Sequence, residues 1–256
     1  MAYIYVLLML LVFSVSPAVA EEEKAIDTSN AFSDHQELLA VSKRQAIYSE
    51  EVGFLFHKMT EKEPDFKAWA MASPRVQQAQ IIDRNSVFIR EYNRMKKHYA
   101  KFNHKDIVSV QIKGDLGDYS SIQSLLVLDQ LNERTYFSYD VYGTNYALIP
   151  NGIERFHLMR LTPDEYRGML ELGGKDPDVR IEVLLKPVRA DAEFPMSLND
   201  KNHWLMLADI AEIRIWARDY GFGPTNGLLW FYRADWYTPE DDDGLMDLFE
   251  GGYVPN

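Results

Sequence analysis

The chain has 256 residues, a formal net charge of −12 and no cysteine. That length supports a true hydrophobic core. The absence of cysteine excludes disulfide staples, thiolate zinc sites and cysteine nucleophiles, and the excess of acid argues against free nucleic acid as a partner, because phosphate binding needs a dominant positive face.

Residues 1–20 carry no charged side chain, run apolar from Ile4 to Val15, and close on Ala18-Val19-Ala20 directly before Glu21-Glu22-Glu23. The apolar block is too short to span a bilayer, and small residues at the third and first positions before Glu21 suit a signal peptidase pocket. A cleaved signal peptide is expected over 1–20, with an uncleaved N-terminal anchor as the competing reading. The n-region has no Lys or Arg, so its positive charge is the amino terminus. No further run approaches membrane-spanning length, so no transmembrane segment is expected after signal cleavage. With no Cys after the cleavage site, a lipid anchor is excluded. The missing Cys and the missing Asn-x-Ser/Thr acceptor point to a bacterial envelope, periplasmic or secreted.

Residues 21–33 are polar and aperiodic and read as a flexible leader. A helical region is expected over 34–105. Asp34 caps a first helix reaching Tyr48, and a second carries Val52, Phe54, Leu55, Phe56 and Met59 before Pro64 stops it. Ser73-Pro74 opens a third, because proline at the first helical position loses no hydrogen bond. Ile81, Phe88, Met95 and Phe102 lie seven apart, with Tyr92 and Tyr99 on the same stripe, so this helix is expected to run unbroken to about Phe102. Packing on the chain's own sheet is favoured over coiled-coil dimerisation. From Arg84 to Lys105, seven basic residues (Arg84, Arg90, Arg94, Lys96, Lys97, Lys101 and Lys105) stand against Glu91 alone. Such a face is commonly just solvated, and it also suits an anionic surface.

From residue 106 to 220 the period changes to two. Val108, Val110 and Ile112 alternate with polar residues; strands are then expected over Tyr119–Leu128 and Thr135–Tyr142 as a meander, with a short run Tyr146–Ile149 and a return over Ile153–Met159. Thr162-Pro163-Asp164-Glu165 is a capping box that starts a helix over 162–172. Two further strands alternate cleanly, Val179 to Leu185 and Ala211 to Ala217, which predicts one dry face and one wet face carrying Arg180, Glu182, Glu212 and Arg214. The expected fold class is α+β, an N-terminal helical segment followed by a mostly antiparallel sheet with an inserted helix. Residues 221–256 read as an irregular aromatic and acidic C-terminal segment.

No Gly-x-Ser-x-Gly elbow, His-Glu-x-x-His helix, Walker loop or dinucleotide fingerprint occurs. His98, His104 and Asp106 are metal-type residues with poor spacing and lysine neighbours. Asp241, Asp243, Asp247 and Glu250 match ligand positions of an EF-hand calcium loop, but Pro239 replaces the first ligand. A disordered acidic tail is favoured over calcium, and no other cofactor is indicated. Trp230, Tyr232, Trp236 and Tyr237 are candidate contacts for a sugar or extended peptide, with packing of the segment onto the sheet as the plainer role. The mixed acidic and apolar run Gly244–Glu250 suits docking into a partner's groove.

These features favour an exported, periplasmic, non-catalytic binding or protein-interaction module whose partner is an envelope protein or glycan. The alternative is a carboxylate-dependent hydrolase of envelope glycan or peptide, whose acidic pair sequence does not reveal.

Overall fold

A computed structural model describes residues 46–173, 178–217 and 227–238. The expected signal peptide and leader, most of the helix expected over 34–48, the calcium-type acids and the tail segment Gly244–Glu250 lie outside the described residues. Among those described, helices come mostly before a mixed, strongly curled sheet.

The helices are α1 (Ser49–Met59), α2 (Phe66–Ala72), α3 (Pro74–Gln77) and α4 (Arg84–Lys101). Residues 46–48 are not helical. Tyr48 instead serves as the N-cap of α1, its backbone N–H donating to Glu51 Oε2 at 3.0 Å. Asp65 caps α2 by accepting from the N–H groups of Lys67 and Ala68, and Ser73 caps α3 through Val76.

The long helix expected from Ser73 to Phe102 is broken over 78–83. The Arg75 guanidinium reaches Glu91 Oε1 at 2.8 Å, whereas sixteen residues of straight helix would separate them by about 24 Å. Folding back buries both Val76 and Met95, and this tertiary gain overrides a local pattern that contains no breaker. Ile81, counted into the stripe, is 87 % exposed.

The principal sheet has the order β1 (Val108–Asp115), β7 (Asp178–Ala190), β9 (Lys201–Ala217), β5 (Thr144–Asn151), β4 (Phe137–Val141), with β8 (Met196–Leu198) and β10 (Leu228–Arg233) also on β9. A small sheet joins β2 (Tyr119–Ser120), β3 (Leu125–Val127) and β6 (Leu158–Arg160). Helix α5 (Pro163–Gly173) lies between β6 and β7, its capping box formed by Thr162 N–H to Glu165 Oε2 at 2.6 Å and Glu165 N–H to Thr162 Oγ at 3.3 Å.

Strand β9 is the spine. One of its edges carries β7; the other carries β5 over 203–209 and then β10 over 212–216. The β5–β9 pairing is parallel, so the sheet is mixed, while its other pairings are antiparallel as expected of a mostly antiparallel sheet. No meander forms: β1 pairs with β7 across about seventy residues of chain, because its apolar side chains Val108, Val110 and Ile112 complete the Leu185, Val183 and Ile181 face. The strand expected over Tyr119–Leu128 is split by a turn with Ser124 at φ 53°, and the return over Ile153–Met159 begins as a 3₁₀ turn, Ile153–Phe156. β10 occupies part of the segment expected to be irregular.

The β4–β5 connection is a two-residue turn with Tyr142 at φ 53° and Gly143 at φ 86°, the two positive values of a type I′ hairpin. Helix α1 packs across β4, β5 and β7, and α5 against β9 and β10. The core between them joins Phe54, Leu55 and Phe56 of α1 to Ile181, Val183, Ile213 and Ile215 of the sheet. Burying one such side chain contributes about 1.5–3 kcal/mol.

The opposite face of β7 and β9 is wet at Arg180 and Lys186, as alternation predicts, but not at its centre. Glu182, Glu212 and Arg214 are buried there, beside Leu184, Ala211 and Tyr237.

Candidate functional site

Strand pairing sets Glu182 opposite Arg214 and Leu184 opposite Glu212, so alternate residues of β7 and β9 place two carboxylates and a guanidinium on one face. Arg214 donates from Nε to Glu212 Oε1 at 2.7 Å and from Nη1 to Glu182 Oε2 at 3.3 Å. Ser109 Oγ and Trp216 Nε1 also donate to Glu182, at 3.0 and 3.2 Å, and Arg233 of β10 donates to Glu212 at 3.3 Å. Burial works against the charged guanidinium, but Glu212 and then Glu182 outweigh it and hold the Arg214 pKa above the ordinary arginine range. Every carboxylate oxygen here already accepts from the protein, so the arrangement is a closed ion network with no free acid or base.

A second network ties the helices to the hairpin. Glu50 of α1 accepts two hydrogen bonds from Arg94 of α4, a third from Tyr142 at 2.5 Å, and meets His98 Nδ1 at 3.2 Å. Burial raises the Glu50 pKa, but Arg94, Tyr142 and His98 together draw it below its ordinary value. Tyr142 holds a left-handed backbone conformation that costs a non-glycine residue about 1–2 kcal/mol, and its bond to Glu50 and its packing on Trp69, 5.6 Å between rings, hold it there.

Two histidines are oriented by backbone carbonyls. His57 Nδ1 donates to Lys62 O at 2.9 Å and its Nε2 accepts from Tyr146 OH at 3.3 Å. Burial lowers the His57 pKa and raises that of Tyr146. On the outer side of the sheet, His203 Nδ1 meets Lys201 O at 2.9 Å and Nε2 meets the exposed Ser138 Oγ at 2.9 Å. Hydroxyl, imidazole and orienting carbonyl have the order of a nucleophile, base and positioning group, but among the described residues the partner behind the ring is the Lys201 carbonyl and not a carboxylate.

The candidate aromatic contacts do not share one surface. Trp230 and Tyr232 join the core, Tyr232 meeting Phe156 edge-on with ring centroids 4.7 Å apart. Tyr237 is buried on the opposite face of the sheet. Trp236 is 48 % exposed, with Lys186 Nζ 5.4 Å from its ring. The Trp230 Nε1 donor is buried and has no hydrogen-bond partner among the described residues. Among the described residues no group of three or more His, Asp or Glu is placed to hold a metal ion, and His98, His104 and Asp106 do not converge.

Exposed basic side chains are gathered on α4. Its acid, Glu91, turns inward and accepts from both Arg75 and Arg94. Arg84, Arg90, Lys97 and Lys101 are exposed, with no ion-pair partner among the described residues, and Lys96 lies over Tyr92. On helical spacing Arg90, Lys97 and Lys101 form one stripe, with Ile89, Asn93 and Lys96 beside it. Ile89 is exposed, and the turn just before the helix presents Ile81 and Ile82, each 87 % exposed. The basic residues are plain in the sequence, but heptad spacing puts Ile81 in the buried stripe. Nothing in its local pattern marks it as exposed, since only the fold-back of α3 turns it outward.

No family model, curated protein or solved structure matches the chain.

Proposed function

We propose that this chain is an exported, periplasmic, non-catalytic binding module, and that the outer face of α4 is its working surface. The observation that carries the reading is the segregation of charge: on a chain of net charge −12, the exposed side of α4 holds Arg90, Lys97 and Lys101, with Arg84 exposed at its first turn, while Glu91 is consumed inside by two arginines. A like arrangement on a neutral protein would be ordinary solvation. On an acidic one it orients the molecule toward an anionic partner and raises the encounter rate.

The competing reading, a carboxylate-dependent hydrolase, has less support. Glu182 and Glu212 are fully buried and shared through Arg214, whereas glycoside hydrolysis needs one carboxyl free to protonate the leaving group and another free to attack or activate water.

The test is expression in a bacterial envelope, with the mature mass and the fractionation of the protein followed together. The reading expects a chain beginning at Glu21 that sediments with envelope material at low ionic strength and is released by salt. A full-length chain in the cytosol, or a periplasmic chain that never associates with envelope material, would overturn it.

A further inference from the structure

Two neighbouring isoleucines at the surface of a turn have a cost in water that the fold itself does not offset. Ile81 and Ile82 contribute nothing to either apolar cluster and are each 87 % exposed. They stand in the turn entering α4, and exposed Ile89 follows one turn and a half into the helix. Beside this apolar edge stand Arg84, in the first turn of α4, and the stripe Arg90, Lys97 and Lys101, all exposed and without ion-pair partners among the described residues. The acid nearest the isoleucines is Asp83, at the helix N-cap. Large apolar side chains at one end of a basic helix face are the arrangement of an interfacial element, in which the apolar groups enter the acyl boundary while long basic side chains reach anionic headgroups.

We propose that this end of the molecule docks on an anionic phospholipid surface, with Ile81 and Ile82 entering the bilayer interface and Arg84, Arg90, Lys97 and Lys101 meeting the phosphates. The proposal rests on the reading of α4 as the working surface and names its partner. Charge complementarity selects lipid phosphate over a neutral surface, and the paired isoleucines select a surface that accepts apolar insertion over a purely polar polyanion. Docking here requires no membrane-spanning element, and among the described residues no helix is long and apolar enough to cross a membrane. Among the described residues α4 is held to the fold through the ion pairs of Glu91 and Arg94 and the burial of Met95, and Arg90, Lys97 and Lys101 take part in no ion pair. Binding therefore does not require unfolding.

The experiment is co-sedimentation of the mature chain with vesicles of mixed phosphatidylglycerol and phosphatidylcholine, against vesicles of phosphatidylcholine alone. Three proteins are compared: wild type, Arg90→Gln with Lys97→Gln, and Ile81→Ser with Ile82→Ser. All changes are at exposed positions, and thermal melts confirm that each variant is folded. Wild type should bind the anionic vesicles only, and added salt should weaken it. Each basic residue near an anionic surface contributes about fivefold in partitioning, so the charge variant should lose about 25-fold. The isoleucine variant should lose binding at unchanged salt dependence. Binding that tracks charge but is indifferent to Ile81 and Ile82 would overturn insertion. No vesicle binding, with envelope association still present, would overturn the lipid partner, assign α4 to an acidic protein or glycan, and leave the proposed function standing. Loss of both would overturn the two together.

Discussion

Arg94 grips Glu50 with two parallel hydrogen bonds, Nη1 to Oε1 at 2.8 Å and Nη2 to Oε2 at 2.6 Å, across forty-four residues of sequence. The pair fastens α1 to the inner side of α4 and, through Tyr142, to the β4–β5 turn. It therefore fixes which side of α4 faces outward.

Removing either partner should loosen that attachment. Charge-assisted, bidentate hydrogen bonds are worth about 1.5–3 kcal/mol, and Glu50→Gln or Arg94→Met should lose a comparable amount in urea denaturation. A double-mutant cycle should show strong coupling; additive losses would show the pair to be incidental. Because the Glu50 pKa is depressed below its ordinary 4.5, its contribution is fully present above that value and fades as pH falls toward the folded-state pKa. Glu50→Gln should flatten this part of the acid limb.

His57 should give a second pH signature. Burial lowers its pKa from 6.5, so the unfolded chain binds the proton more readily than the folded one. Stability is full above 6.5 and declines as pH falls from there to the folded-state value, below which it no longer changes on this account. His57→Gln should remove that decline, measured as the change in urea midpoint between neutral and mildly acidic buffer. An unchanged slope would place the titrating group elsewhere.

The Glu182–Arg214–Glu212 network should be costly to break at one point. Arg214→Met leaves two buried carboxylates short of a donor, with Arg233 bonded to Glu212 alone, and should cost about 3–5 kcal/mol. Adding Glu182→Leu and Glu212→Leu in the same chain should recover part of the loss, as burial of apolar side chains replaces burial of charge. A loss below about 1 kcal/mol for the single change would mean the network is open to water.

Ser138 offers a direct check on the non-catalytic reading. With the Lys201 carbonyl and not a carboxylate behind His203, the serine should not react with a fluorophosphonate probe. Ser138→Ala should cost about 1–3 kcal/mol by leaving the buried imidazole nitrogen unpaired. Stoichiometric labelling that vanishes in Ser138→Ala would instead identify a nucleophile.

Much of the fold is legible where one local force dominates. The Thr162–Glu165 capping box, the helix before Pro64 and the alternation of β7 follow from capping chemistry and periodicity within a few residues. The misreadings come from long-range terms. The break over 78–83 follows from the Arg75–Glu91 contact and the burial of Val76, neither visible in a helical wheel. The buried centre of the charged face of β7 and β9 was expected to be wet because alternation reports polarity, and polarity does not distinguish a solvated charge from one neutralised by Arg214. The site on α4 was half legible: its basic residues are plain in the sequence, but Glu91 also sits among them, and only its inward turn leaves the outer face basic.

The most direct measurement is salt-dependent sedimentation of the mature chain with bacterial envelope material, comparing wild type with Arg90→Glu, Lys97→Glu, Lys101→Glu in one folded variant. With α4 as the working surface, the wild type sediments at low salt, releases as the screening length shrinks below about 10 Å, and the reversed variant stays in the supernatant throughout. Equal sedimentation of the two proteins would contradict the account.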